Sequence, residues 1–215
     1  MVTSALLQGL ILGAGMIIPI GAQNSYLLSQ GIKRNHHILA ATICMFCDVI
    51  LIGLGIFGGG KLIASSEWLM LIIGWGGISF LIVYAAISLR NVWRNQYQVT
   101  THEAAANSRK HIIGTTLAVT LLNPHVYLDT VMILGSVGGM FEGNERWAFA
   151  IGTVLASVLW FYSLAFGAAK LAPWLGKPKI QRVIDALVGA IMLFIAYSVF
   201  NTLLSSGAAL QHLSQ

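Results

Sequence analysis

The sequence predicts an all-α membrane protein of about six transmembrane helices, arranged as two inverted three-helix repeats with proline breaks in helices 1 and 4. This prediction rests on the composition, on the number and length of the apolar segments, and on two prolines inside those segments. Of 215 residues, 57% are hydrophobic and 9% are charged, whereas about a quarter of the residues in soluble domains are charged. A water-soluble domain cannot bury so much apolar surface, but a lipid bilayer covers it.

Six apolar segments are long enough to cross a bilayer, which takes roughly 20 residues. They are residues 4–29, 37–60, 67–90, 112–137, 147–169 and 181–204. The polar stretch 91–111 separates a first repeat, residues 1–90, from a second repeat, residues 112–215, which ends in a polar tail. Because each repeat holds an odd number of segments, the two repeats enter the membrane in opposite orientations.

Lysine and arginine are distributed unevenly along the predicted loops. Ten of the twelve lie in or beside the loops 30–37, 91–111 and 170–180, the last of which also contains Pro173 and Pro178. By the positive-inside rule these loops are cytoplasmic and both termini are outside. If the first segment is re-entrant instead of spanning, the N-terminus lies inside. Basic residues confined to loops serve membrane topology, so we expect no nucleic-acid partner.

The first polar motif interrupts segment 1. Pro19 removes a backbone donor and clashes with the preceding helical turn, and Gly21 lets the chain leave helical geometry. Gln23 and Asn24 follow directly. In a membrane such a break is tolerated only against protein or a water-filled cavity. The motif therefore indicates either one wall of a polar cavity or a packing kink whose amides bond to a neighbouring helix.

The second polar motif interrupts segment 4 at the corresponding place. A shift of 105 residues aligns the proline of the first motif with Pro124 and its asparagine with Asp129. Asn123, His125 and Tyr127 complete a run too polar to face lipid. The motif indicates a second broken helix at a binding site, and the alternative is an internal hydrogen-bond network.

Two acids lie well inside apolar segments, Asp48 in segment 2 and Asp129 in segment 4. A carboxylate in mid-membrane costs at least about 2.5–3.5 kcal/mol, so its default interpretation is functional. No lysine or arginine lies in the interior of the segments to neutralise these acids, since Arg90 and Arg182 are at segment ends. This favours a mobile cation such as a proton or a cationic small molecule. The alternative is a neutral buried acid bonded to a neighbour. Cys44 and Cys47 lack the partners of a metal site, so we expect no metal and no cofactor.

Three runs carry a resemblance to a known family: PIGAQN at 19–24, CDVILI at 47–52 and LNPHVYLDT at 122–130. Together with the rest of the chain they are similar to the lysine exporter (LysE) family, and within it to the arginine-exporting branch. Ala22 stands where many members carry a second proline. The resemblance implies efflux of L-arginine across a bacterial inner membrane, with lysine and canavanine as further candidates, driven by the proton gradient or membrane potential. The phosphate-loop signature of ATP-driven proteins is absent from the sequence.

Residues and resemblance together give the hypothesis of one binding site at the midplane between the two broken helices. The N-terminus of a half-helix would face the substrate carboxylate, and Asp48 and Asp129 would hold its cationic end. The amide and hydroxyl groups of the two motifs would orient the substrate, and an inward proton would exchange for each exported amino acid. Export of another amino acid, a membrane-embedded enzyme and a passive channel are the alternatives. A homodimer is compatible with the sequence, which does not define the oligomeric state.

Overall fold

The computed structural model describes residues 1–19, 21–58, 67–94, 108–123, 126–175 and 177–213, and every regular element within these ranges is helical. The helices are α1 Val2–Ile17, α2 Ala22–Ile32, α3 His37–Ile56, α4 Glu67–Arg94, α5 Arg109–Leu121, α6 Tyr127–Leu134, α7 Gly135–Gly139, α8 Gly143–Leu175 and α9 Pro178–Leu213. α6 is a π-helix and continues directly into α7. The all-α prediction is confirmed for this part of the chain.

Four stretches in the described residues are long and apolar enough to cross a membrane: His37–Ile56, Gly74–Arg94, Gly143–Leu175 and Pro178–Asn201. α1 and α2 together form a fifth candidate, although their axes meet at 79°. The chain is therefore a helical membrane protein with four to five candidate spans. The large bend separates α1 from α2 at the predicted position, because α1 ends at Ile17 and α2 begins at Ala22.

Four tryptophans are exposed near the ends of two long helices. Trp68 and Trp93 lie near the two ends of α4, and Trp147 and Trp174 near the two ends of α8. Each is at least 60% exposed. Tryptophan at both ends of a span is typical of the membrane–water interface, so these positions mark α4 and α8 as membrane-crossing.

Glycines allow two pairs of helices to approach at backbone distance. In α1, Gly9 lies against the backbone oxygen of Phe149 in α8, and Thr153 donates a 3.2 Å hydrogen bond to the Gly9 oxygen. In α3, Gly55 lies against Gly135, where an added Cβ would be 2.7 Å from the Gly55 oxygen. Small residues at such positions allow the close helix contacts that are typical of membrane proteins.

The helices of the two halves are interleaved. α1 and α2 pack mainly on α8, and α3 packs on α5, α6 and α7. α4 packs on α9, and α3 also contacts α8. Each broken helix therefore packs mainly against the second helix of the other half of the chain. This arrangement brings both polar motifs to the centre of the molecule.

The predicted loop 170–180 is wrong in its extent. α8 continues through Pro173 to Leu175, and α9 begins at Pro178, so the two helices are separated by residues 176–177 alone. Proline at the first position of a helix loses no hydrogen bond, which explains Pro178. Of the predicted loop 91–111, residues 91–94 belong to α4 and 109–111 to α5, and residues 95–107 lie outside the described part of the chain.

Candidate functional site

A central cavity of about 220 Å³ lies where the two polar motifs meet. At ~30 Å³ for each water molecule, it has room for about seven waters or for one small solute. Residues from α1, α2, α3, α6, α8, α9 and the two helix breaks form its wall. The lining residues are Met16, Ile17, Pro19, Gly21, Gln23, Asn24, Asp48, Asn123, Val126, Asp129, Thr130, Phe161 and Ile195.

The break between α1 and α2 is held together by the side chain of Asn24. Its Nδ2 donates hydrogen bonds to the backbone oxygens of Ile17 (2.8 Å) and Pro19 (2.9 Å). Its Oδ1 accepts a 3.1 Å bond from the indole Nε1 of Trp160 in α8. Carbonyls at a helix end need partners where water is excluded, and Asn24 supplies them. The amide therefore supports the break that forms this wall of the cavity.

Asp48 reaches the cavity from the middle of α3 and is 3% exposed. The Ser157 hydroxyl, in α8, donates a 2.8 Å hydrogen bond to its Oδ2. A buried carboxylate requires hydrogen-bond donors or a cation, and this serine provides one donor. Its bond also fixes the carboxyl group relative to α8, so α3 and α8 together position Asp48.

The second polar motif forms the opposite wall. Asn123 follows the end of α5 and is 8% exposed, and Asp129 lies in the first turn of the π-helix α6 and is partly buried. The Tyr127 hydroxyl donates a 2.8 Å bond back to the oxygen of Leu121, the last residue of α5. Tyr127 thus ties the two sides of this break together, as Asn24 does in the first. π-Helical turns are frequent at functional sites.

In the described part of the chain, Gln23 differs from its neighbour Asn24 because its amide makes no hydrogen bond to the backbone of the break. The side chain lines the cavity and is 9% exposed, and its Nε2 is buried without a hydrogen bond in the described part of the chain. Buried polar groups are nearly always hydrogen-bonded. The side chain also meets the Cys44 thiol of α3.

The structure gathers most of the residues that the sequence singled out. Seven of the ten line the cavity: Pro19, Gly21, Gln23, Asn24, Asp48, Asn123 and Asp129. Tyr127 supports the break and is absent from the lining. Pro124 and His125 lie outside the described residues. Sequence reasoning missed Ser157 and Trp160, because one serine and one tryptophan in an apolar helix do not stand out from composition.

The cavity combines two acids, several amides and helix ends inside an apolar bundle. A helical membrane protein with interrupted spans around a central polar cavity has the architecture of a transporter. The chain belongs to the LysE-type translocator family, whose sequence model matches residues 14–202.

Several curated bacterial proteins are similar over nearly their whole length. The provisionally named amino-acid transporter YggA of Aeromonas salmonicida is 52% identical, with 95% of this chain and 97% of the relative aligned. The arginine exporter protein ArgO of Yersinia enterocolitica is 49% identical over 90% of this chain and 94% of its own. ArgO of Enterobacter sp. (strain 638) is 48% identical over 89% and 91%. No solved structure matches the chain.

Proposed function

We propose that the chain is a secondary active exporter of basic amino acids, with L-arginine as the main substrate, in the bacterial inner membrane. The observation that carries the proposal is one cavity, flanked by two helix breaks, whose wall contains both intramembrane acids, Asp48 and Asp129. The names of relatives at 48–49% identity support arginine as the cargo. Lysine and canavanine share its charge pattern and are the next candidates.

The two carboxylates account for selectivity toward cationic amino acids. A guanidinium forms strong, often bidentate, hydrogen bonds with a carboxylate. Asp48 and Asp129 would hold the guanidinium and the α-amino group, and Asn123 would orient the substrate. Asn24 and Tyr127 contribute indirectly, because their hydrogen bonds hold the two breaks in place. The predicted roles of Pro124 in the helix break and of His125 in the binding site rest on the sequence alone.

Proton exchange would supply the energy. Exporting a cation against an inside-negative potential costs about 2.3 kcal/mol per charge per 100 mV. One inward proton for each exported arginine cancels the charge movement and leaves the pH gradient as the driving force. A carboxylate in the cavity can carry the proton in one direction and hold the arginine in the other. This scheme needs no ATP and no bound cofactor.

We propose six spans in two inverted repeats as the complete architecture. The interleaved packing supports it. If a two-fold axis exchanges the two halves, the contact of α1 with α8 corresponds to the contact of α5–α7 with α3. The contact of α4 with α9 then corresponds to itself. In this arrangement the connections between α2 and α3, between α4 and α5, and between α8 and α9 face the cytoplasm. A homodimer stays a prediction.

Counterflow in proteoliposomes tests the function. Vesicles loaded with unlabelled arginine should accumulate labelled arginine from outside, and an inward proton movement should accompany net arginine efflux. A channel would only equilibrate the label, and an enzyme would convert it to a product. Either of these two results would refute the proposal that the chain is an exporter.

The acids are tested by Asp48→Asn and Asp129→Asn, which keep the side-chain size and remove the charge. Each variant should lose arginine exchange while the protein remains folded in the membrane. Glu142→Gln, at an exposed position between α7 and α8, is the matched control and should exchange like the wild type. Full exchange by both Asp variants would exclude the acids from the mechanism.

A further inference from the structure

A narrow cleft lies between α2 and α9, separate from the central cavity. Its lining residues are Ser29, Ile32, Lys33, Gln181, Ile184 and Asp185. The volume of the cleft is about 10 Å³, which is close to the smallest space that holds one water molecule. The cleft lies at the end of α2 and near the start of α9, beside two of the connections that carry basic residues. By the positive-inside rule this is the cytoplasmic side.

The cleft contains an acid that the central site does not use. Asp185 is 7% exposed and lies seven residues after Pro178, beyond the first turn, where an acid would stabilise the helix end. The Tyr84 side chain of α4 shares a hydrogen bond with Ser29 of α2 and lies near the Asp185 carboxyl. Because a carboxylate has room for about four hydrogen bonds, partners within the chain do not prevent it from binding an incoming cation.

The same two helices line both the cleft and the central cavity. α2 contributes Asn24 to the cavity and Lys33 to the cleft. α9 contributes Ile195 to the cavity and Asp185 to the cleft. At 1.5 Å per residue, about 13–15 Å separate the two sites along each helix. The seam between α2 and α9 therefore leads from the cytoplasmic side to the cavity.

This seam is closed by side chains. In the described part of the chain, α9 packs mainly on α4 and makes fewer contacts with α2. Tyr26 of α2 belongs to the same apolar core as Val188 and Met192 of α9. The Tyr26 ring also packs edge-on against the Tyr84 ring, with 5.9 Å between the ring centroids. Such a seam opens when a few side chains change rotamer.

The opposite end of the molecule is closed by backbone contacts instead. An added Cβ at Gly9 of α1 would collide with the Phe149 backbone of α8, and one at Gly55 of α3 would collide with the Thr130 backbone of α6. Helices that meet at backbone distance leave no space for a solute between them. The seam between α2 and α9 is therefore the better candidate for a substrate route.

We propose that the cleft between α2 and α9 is a cytoplasmic entry subsite, where Asp185 binds the cationic end of the substrate before it reaches Asp48 and Asp129. The proposal rests on the export function proposed above and adds a third acid and a route of entry. Lys33 is exposed and lines the same cleft. Its positive charge opposes the entry of a cation, so it lowers the affinity of the subsite.

Arginine exchange measured separately at the two membrane faces tests the subsite. Inverted membrane vesicles present the cytoplasmic face to the medium, and right-side-out vesicles present the outer face. Both are loaded with saturating unlabelled arginine, and the uptake of labelled arginine is measured over a range of external concentrations. Asp185→Asn should raise the half-saturating arginine concentration about threefold or more at the cytoplasmic face. It should leave the value at the outer face unchanged.

Glu145→Gln is the matched control, because it removes the same charge from the first turn of α8, at the opposite end of the molecule. It should leave the value at the cytoplasmic face unchanged. A purely structural role of Asp185 would change both faces alike. An equal change at both faces, or none at the cytoplasmic face, would overturn the subsite alone. Absence of arginine exchange by the wild type would remove the export function and the subsite together.

A second pair of variants decides the matter if Asp185→Asn does not fold. Lys33 and Lys179 are both exposed near the same membrane face, and of the two Lys33 lines the cleft. Lys33→Gln should lower the half-saturating arginine concentration at the cytoplasmic face about twofold, because the substrate no longer meets a like charge. Lys179→Gln should leave this value unchanged. Equal effects of the two substitutions would overturn the subsite.

Discussion

Arg34 donates two hydrogen bonds, each 3.1 Å long, from its guanidinium to the backbone oxygen of Ala169. Ala169 lies four residues before Pro173, which has no N–H group to bond that oxygen within α8. A side chain from the loop between α2 and α3 thus replaces the missing helical donor. Arg34 itself has a φ of 50°, a conformation that few non-glycine residues adopt. The loop is strained at the residue that stabilises the neighbouring helix.

Arg34→Ala should lower the free energy of unfolding by about 1–3 kcal/mol, because the Ala169 oxygen then loses its donor. Thermal unfolding of the purified protein in detergent measures the change. Pro173→Ala supplies a backbone N–H to the same oxygen, so Arg34→Ala should cost much less in that background. Equal costs in the two backgrounds would contradict the relationship between Arg34 and the proline.

Asn24→Leu should destabilise the fold more than Trp160→Phe. The first change removes the donor of two hydrogen bonds at the helix break, and each buried acceptor left without a partner costs about 1–3 kcal/mol. The second change removes only the indole donor to Asn24. Thermal unfolding compares the two variants. A larger loss in Trp160→Phe would show that the amide does not hold the break.

Gly152→Ala should destabilise the contact between α1 and α8, because its Cβ would collide with the backbone oxygen of Leu6. Overpacking of this kind typically costs about 1–3 kcal/mol. Gly167→Ala is the control in the same helix, since its Cβ would meet open space. It should be neutral or stabilising by about 0.5–1 kcal/mol through helix propensity. Gly152→Ala should have the lower melting temperature of the two variants, and the reverse order would contradict the prediction.

Ser157→Ala should reduce arginine exchange without abolishing it. The serine donates to Asp48 and fixes the carboxyl group, and a hydrogen bond to a charged group is worth about 1.5–3 kcal/mol. Ser157→Thr keeps the hydroxyl and should retain more activity than the alanine variant. Exchange kinetics in proteoliposomes separate the two. Wild-type exchange by Ser157→Ala would show that the Asp48 carboxyl needs no such support.

The cavity could be predicted from sequence because its main residues are polar or helix-breaking and lie within apolar segments. A proline within an apolar segment and a carboxylate in mid-membrane each require a protein or water environment. Pro19, Asp48 and Asp129 share one cavity for this reason. This prediction could be made without knowing which helices are neighbours in the fold.

The hydrogen-bond partners could not be predicted in the same way. The sequence predicts that Asn24 orients a substrate, but its amide bonds to the chain's own backbone and to Trp160. It also predicts a loop at Pro173, whose place inside α8 depends on Arg34, a residue distant in sequence. Local patterns indicate that a polar group needs a partner. The choice of partner follows from tertiary packing, which a single sequence does not display.

The interleaving of the two halves has a consequence for biosynthesis. The α1–α2 break emerges from the ribosome long before α8. α8 contains Trp160 and the Phe149 backbone against which Gly9 packs. At ~5–20 residues per second, roughly 6–25 seconds separate the two events. During this interval the Asn24 Oδ1 lacks its Trp160 donor and the Asp48 carboxyl lacks its Ser157 donor. We therefore expect the insertion machinery to shield these groups, and a truncated first half to be a substrate for membrane proteases.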